Sequence, residues 1–160
     1  SYSRIYKINI IGLRFFTVFG EWGRPDMLIF KYIKSNLDNK IFFLNSNGQH
    51  FRDFTYIDDV IEILNRLLYL KLNNNFEIFN ICSNKPIKIL DVINKINKTN
   101  NTYKYFQKKS KTMEKIEVLK THGNNKKILK RIKKFKYTNF DKALNNTLKW
   151  YFDKKINKIT

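Results

Sequence analysis

Cysteine, histidine, proline and acidic residues are all scarce in this chain of 160 residues. The single cysteine, Cys82, excludes an internal disulfide and any cysteine-based zinc cluster. His50 and His122 lie too far apart in sequence to share a ligand spacing, so no metal site is expected. Long apolar runs are missing as well. The longest, residues 8–19, is interrupted by Asn9, Arg14 and Thr17 and falls short of the roughly 18 residues that a membrane-spanning helix needs, so no membrane partner is expected. Ser1 to Ile10 shows no charged-then-apolar leader pattern and starts on serine instead of methionine, which reads as a fragment of a cytoplasmic protein held in a reducing compartment. With 42% hydrophobic and 28% charged residues, the chain supplies about one packed domain and is neither disordered nor collagen-like.

Lysine is abundant. Lys+Arg number 32 against 13 Asp+Glu, a net charge of +19 that by itself points to a nucleic-acid-binding module. Composition offers a competing source for it. Lys, Asn, Ile, Phe and Tyr fill 91 of the 160 positions, and all five are encoded by codons with A or T in the first two places. Drift of a genome towards A and T produces such a chain whatever it does. Only 6 of the basic residues are arginine, the type that grips phosphates and base edges with two parallel bonds. The excess is also one-sided, with 22 basic and 5 acidic residues after position 80 against 10 and 8 before it. The second half reads as a solvated lysine surface, and no nucleic-acid partner is expected.

Periodicity divides the chain into alternating strands and helices. Residues 8–19 are β-branched and aromatic and predict a buried strand of a parallel sheet, ended by the loop Gly20-Glu21-Trp22-Gly23-Arg24-Pro25. A short helix over 27–33 follows, then a strand over 40–44 closed by the turn Asn45-Ser46-Asn47-Gly48. After 51–56 comes a helix with Asp59 as its cap, Glu62 completing a capping box, and a stripe of Val60, Ile61, Leu64, Leu67 and Leu68. Asp58 and Asp59 resemble an acid–base pair, but capping is the simpler role. Residues 76–82 predict a second apolar strand, 83–86 a turn, 90–96 a helix and 98–115 a loop. Thr138 and Asp141 form a capping box for a last helix carrying Phe140, Leu144, Leu148, Tyr151 and Phe152 on one face. An α/β chain results, yet its first strand has no partner before it, so most of its sheet is expected elsewhere.

At residues 12–27 (GLRFFTVFGEWGRPDM) and 52–60 (RDFTYIDDV) the sequence resembles the C-terminal part of the extended short-chain dehydrogenase/reductases, the NAD-dependent epimerase/dehydratase family, and within it the UDP-glucuronate 4-epimerases. Phe79-Asn80-Ile81 before Pro86, and the closing Leu148-Lys149-Trp150-Tyr151, match in the same order. The resemblance implies a Rossmann-type α/β fold with its N-terminal half absent. Residues 1–160 would form the substrate-binding portion, with late strands near 8–20 and 76–82. It implies bound NAD, a UDP-sugar substrate inverted at C4 through a 4-keto intermediate, and a homodimeric parent enzyme. The family's Tyr-x-x-x-Lys base is not recognised here. Tyr105 with Lys109 and Tyr151 with Lys155 have that spacing, but they fall far downstream of the matching segment, so the chain alone is expected to be inactive.

Residue by residue, the resemblance implies that Thr17 and Arg24 contact the uronate, which suits a hydroxyl and a planar guanidinium facing a carboxylate. It sets Arg52 against the UDP diphosphate, Phe42 and Leu44 around the uracil, Glu117 near the ribose and Phe16 beside the nicotinamide. Each also has a plain reading: Thr17 and Phe16 as strand residues, Arg24 as solvated, Arg52 paired with Asp53 or Asp58, Phe42 and Leu44 as core. Cys82 reads as a small buried hydrophobe. Phe19-Gly20-Glu21 departs from the family's Tyr-Gly-Pro, Cys82-Ser83 stands where a glycine is common, and Glu117 lacks the expected glycine before it. The alternatives at this point are a sister dehydratase, decarboxylase or UDP-hexose epimerase, a basic nucleic-acid-binding module, and an inactive remnant.

Overall fold

The computed structural model describes residues 1–99, 106–107 and 118–154. In chain order the elements are α1 (Tyr2–Tyr6), β1 (Ile10–Phe15), β2 (Thr17–Phe19), α2 (Leu28–Leu37), β3 (Phe43–Leu44), a 3-10 turn (Asn45–Gly48), β4 (Phe51–Tyr56), α3 (Ile57–Leu68), β5 (Phe76–Ile81), β6 (Pro86–Lys88), α4 (Ile89–Thr99), β7 (Phe106–Gln107), α5 (Lys126–Ile132) and α6 (Phe140–Asp153). β1 runs parallel to β5 in the register Ile10 opposite Phe76 to Phe15 opposite Ile81. β2 runs parallel to β4, and β6 closes antiparallel on β4.

The apolar run expected as one strand is therefore two. The Val18 amide donates to the Phe16 carbonyl at 3.0 Å, so the chain kinks at residue 16 and passes from the β5 ladder to the β4 ladder. β5, later in the chain, supplies β1 with a parallel partner. β1 is not buried on both faces: its residues are half-buried, and Arg14 and Phe15 are exposed. In β5 the alternation is clean, with Glu77, Phe79 and Ile81 buried beneath Val60, Ile63 and Leu67 of α3 and Ile128 and Ile132 of α5. The second core lies between α2, α4 and α6 and the β2–β4 pair, where Phe30 stacks on Tyr151 at 5.4 Å and Phe19 meets Phe54 edge-on at 5.8 Å.

Two helix starts differ from the local capping pattern, for one shared reason. α3 begins at Ile57, two residues ahead of Asp59, so Asp59 sits inside the first turn. Its carboxylate accepts from the Thr138 amide and hydroxyl at 3.0 and 2.7 Å, which occupies both expected caps with each other. Asn139 caps α6 instead, accepting from the amides of Asp141 and Lys142. Glu62 pairs with Arg66 at 2.7 Å one turn on, not with a capping residue. The buried stripe of α3 is Val60, Ile63 and Leu67, whereas Ile61 and Leu68 are exposed. α2 extends to Leu37, and α4 runs to Thr99, past the expected start of the 98–115 loop. Within that loop Phe106–Gln107 forms a strand beside β3; most of its remainder lies outside the described residues.

Candidate functional site

Strand alternation fixes one wall of the site. Residues two apart face the same side, and His50, Arg52 and Phe54 of the β4 segment line a cavity of about 220 Å³ together with Thr17 and Phe19 of β2. Gly20, Gly23 and residues 27–30, leading into α2, close it on another side; Ile89 and Thr147 complete it. α2 brings the positive end of its dipole there, with no acidic residue in its first turn and no side-chain cap on Met27, which favours an anion.

Arg52 is positioned by backbone. Its Nη1 donates to the Phe51 carbonyl at 2.8 Å and to the Val118 carbonyl at 2.7 Å, which brings a permanent positive charge to the cavity wall. The 118–123 segment is itself tied to β4. Phe51 donates to Leu119 and accepts from Thr121, while Gly123 donates to Asp53 Oδ2 at 3.0 Å. Asp53 faces away from the cavity, is completely buried, and also accepts from the amide and hydroxyl of Ser83 at 3.1 and 2.8 Å. The serine at the place where a glycine is common is thus used twice by one carboxylate.

The glycine loop is held just as closely. A Cβ on Gly20, whose φ is +142°, would come within 2.3 Å of Ile57, so only glycine fits at the turn out of β2. Glu21, where the family has proline, accepts from the Tyr56 hydroxyl on both carboxylate oxygens at 2.9 Å. Burial, opposed in part by a bond to Asn146 and reinforced by Glu21, pushes the Tyr56 phenol above its ordinary range, so it stays a donor. A hydrogen bond replaces ring rigidity in anchoring this loop.

Of the residues singled out by sequence, Thr17 and Arg52 come together in the cavity. Arg24 does not line it: its side chain is 74% exposed and pairs with Asp26 at 3.0 Å, although Gly23 and Met27 on either side do face the cavity. Phe42 and Leu44 are core residues, 8% and 2% exposed, with Phe42 edge-on to Tyr32 at 5.1 Å; it is Phe43 between them that faces solvent. Phe16 is half-buried at the break between β1 and β2, with its ring against Gly123. Glu117 lies outside the described residues, as do Tyr105, Lys109 and Lys155, while Tyr151 is buried against Phe30. Sequence reasoning missed His50 and Thr147. The period of two running back from Arg52 was the signal for His50.

Cys82 is fully buried, and burial, with Asp53 nearby, pushes its thiol up to about 11. Among the described residues no group of three or more His, Cys, Asp or Glu side chains is placed to hold a metal, and no helix is long and apolar enough to cross a membrane.

Parallel strands with helices over them are the layers of a Rossmann-like α/β fold. A solved UDP-glucuronic acid 4-epimerase from Bacillus cereus, in complex with UDP-glucuronic acid and NAD, superposes with a TM-score of 0.81 at 28% identity over 95% of this chain and 48% of that one. The sequence profile of the NAD dependent epimerase/dehydratase family matches residues 1–82, and the chain belongs to that family. Among its relatives are protein CapI of Staphylococcus aureus, 34% identical over 57% of this chain and 32% of that protein, and a probable UDP-glucuronate 4-epimerase of Rhizobium meliloti, 43% identical over 44% and 20%. The chain spans half or less of the length of the relatives it matches.

Proposed function

We infer that this chain is the substrate-binding portion of a cytoplasmic, NAD-dependent epimerase that inverts C4 of UDP-glucuronate through a 4-keto sugar. The observation that carries this reading is the meeting of Arg52, Thr17 and the start of α2 in one cavity. Bound NAD would supply the chemistry by taking up one hydride from C4 and returning it to the other face. This chain's own part is to bind and orient. Arg52 and the end of α2 hold the diphosphate, so that the sugar turns about a fixed handle, and Thr17 offers a hydroxyl to the sugar end. Phe16, at the carboxyl ends of β1 and β5 where such sheets take dinucleotides, fits an apolar edge for the nicotinamide. The five glycines form no phosphate-binding turn of the G-x-G-x-x-G kind, so the NAD pyrophosphate, like the acid–base pair, is assigned to residues beyond these 160, in a homodimeric parent.

Arg24 reads the uronate only if it leaves Asp26. Such an exposed pair is worth about 0–1 kcal/mol, less than the roughly 1.5–3 kcal/mol of a charged bond to a carboxylate, so the exchange is favourable once a uronate is present. The same observation favours a second reading, a neutral UDP-hexose as substrate, with Arg24 remaining on Asp26. Equilibrium dialysis of UDP-glucuronate against UDP-glucose separates the two. The first reading requires a preference for UDP-glucuronate of about tenfold or more that Arg24→Ala removes; equal binding of both sugars by the unaltered chain would leave the second.

A further inference from the structure

His50 is 8% exposed and lines the cavity two residues before Arg52. Its carbonyl accepts from the Ile89 amide at 3.0 Å, so the start of α4 fixes it as well as the strand that follows. Arg52 is the one Lys, Arg, Asp or Glu among the described residues that line the cavity. Among the described residues, the neighbouring charged groups do not line the cavity. Asp53 is turned towards Ser83 and Gly123; Lys88 and Lys120 pair at the backbone with Phe51, which is not part of the wall; Asp91 is exposed in the first turn of α4. An imidazole and a guanidinium thus share one wall, facing the positive end of α2.

We propose that His50 is a second binding group for the ligand's diphosphate and takes up a proton as the ligand binds. This rests on the reading of the cavity as a UDP-sugar site. A diphosphate diester carries two negative charges. Arg52 matches one, and a helix terminus contributes about half a charge, which leaves room for one more cation. An imidazole normally titrates near 6.5. A phosphate anion placed against it favours the charged form. Affinity is therefore greatest at low pH and declines as pH rises through the bound-state midpoint.

The probe is UDP-glucose, whose diphosphate keeps both charges between pH 5.5 and 8. Calorimetric titration of the chain should show affinity falling about tenfold across that range, with proton uptake visible as a dependence of the heat on the buffer. His50→Gln should bind at every pH as the unaltered chain does at pH 8. Imidazole NMR gives a second readout that needs no variant: saturating UDP-glucose should raise the midpoint of His50 and leave that of His122, an exposed residue bonded to Asn84, where it was. Binding without a pH slope, or a slope that persists in His50→Gln, overturns the role of His50 and leaves the cavity reading standing. No binding at any pH overturns the cavity reading, and this inference with it.

Discussion

Asp53 should be the most costly polar residue to alter, because one buried carboxylate ties β4 to two other segments. Its Oδ1 takes the amide and hydroxyl of Ser83, and its Oδ2 takes the amide of Gly123, all at 2.8–3.1 Å with no solvent exposure. Asp53→Asn keeps the shape but offers one acceptor oxygen, so either the Gly123 amide faces its NH2 and loses its acceptor, or the Ser83 amide is left with Thr55 Oγ1 at 3.1 Å alone. A buried donor left unsatisfied costs about 1–3 kcal/mol, and losing charge assistance on the remaining bonds adds about 1 kcal/mol. The expected loss is about 2–4 kcal/mol out of the roughly 5–15 kcal/mol that holds a domain together. Urea unfolding followed through Trp22 and Trp150 measures it, and a fall in Tm of roughly 5–15 °C should accompany it. Because Gly123 ends the segment that presents Val118 to Arg52, ligand affinity should fall as well. An Asp53→Asn chain within 0.5 kcal/mol of the original would refute the reasoning.

Gly123→Ala would put a methyl 2.2 Å from Cys82 Sγ and 2.9 Å from the Phe16 ring, so a loss of about 2–4 kcal/mol is expected by thermal melting, with Gly12→Ala, whose nearest contact is at 3.3 Å, as the milder control. With its thiol raised to about 11 and fully buried, Cys82 should resist Ellman's reagent at pH 8 until urea unfolds the chain; labelling of the folded chain would contradict this placement. Burial, opposed by the Thr138 bonds, raises the Asp59 carboxyl above its ordinary 3.8. The folded state then binds the proton more tightly than the unfolded one, so this contribution is fully present below the ordinary value and is lost as pH rises through the folded one. Asp59→Asn should accordingly gain on the original in urea midpoints as pH is raised from about 4 to 7; parallel curves would exclude it.

What was legible in the sequence followed from short-range periodicity. The strands at 76–81 and the helix faces of α4 and α6 emerge from apolar spacing alone, and the loop after residue 19 from its two glycines. Whatever depended on long-range partners was not legible. Asp59 and Thr138 both look like helix caps by local pattern, and only the tertiary fold shows that they are bonded to each other instead. The break at Phe16 is invisible because both halves of residues 10–19 favour extended structure; β4 and β5 compete for them, and each takes half. Thr17 and Arg52 share a wall because β2 and β4 pair in parallel, whereas Arg24 sits on a loop whose side chains answer to local charge, here Asp26. Phe42 and Leu44 show the limit of reading apolar residues, since a core position and a base-binding wall have the same sequence signature.

The account stands most directly on Arg52. Calorimetric titration of UDP-glucuronate into the chain and its Arg52→Ala variant compares one charged contact with its absence. A charge-assisted bond to the diphosphate predicts a ten- to roughly hundredfold loss of affinity, with the melting temperature of the free chain little changed. Equal affinities in the two proteins would place the nucleotide elsewhere and contradict the cavity as its site.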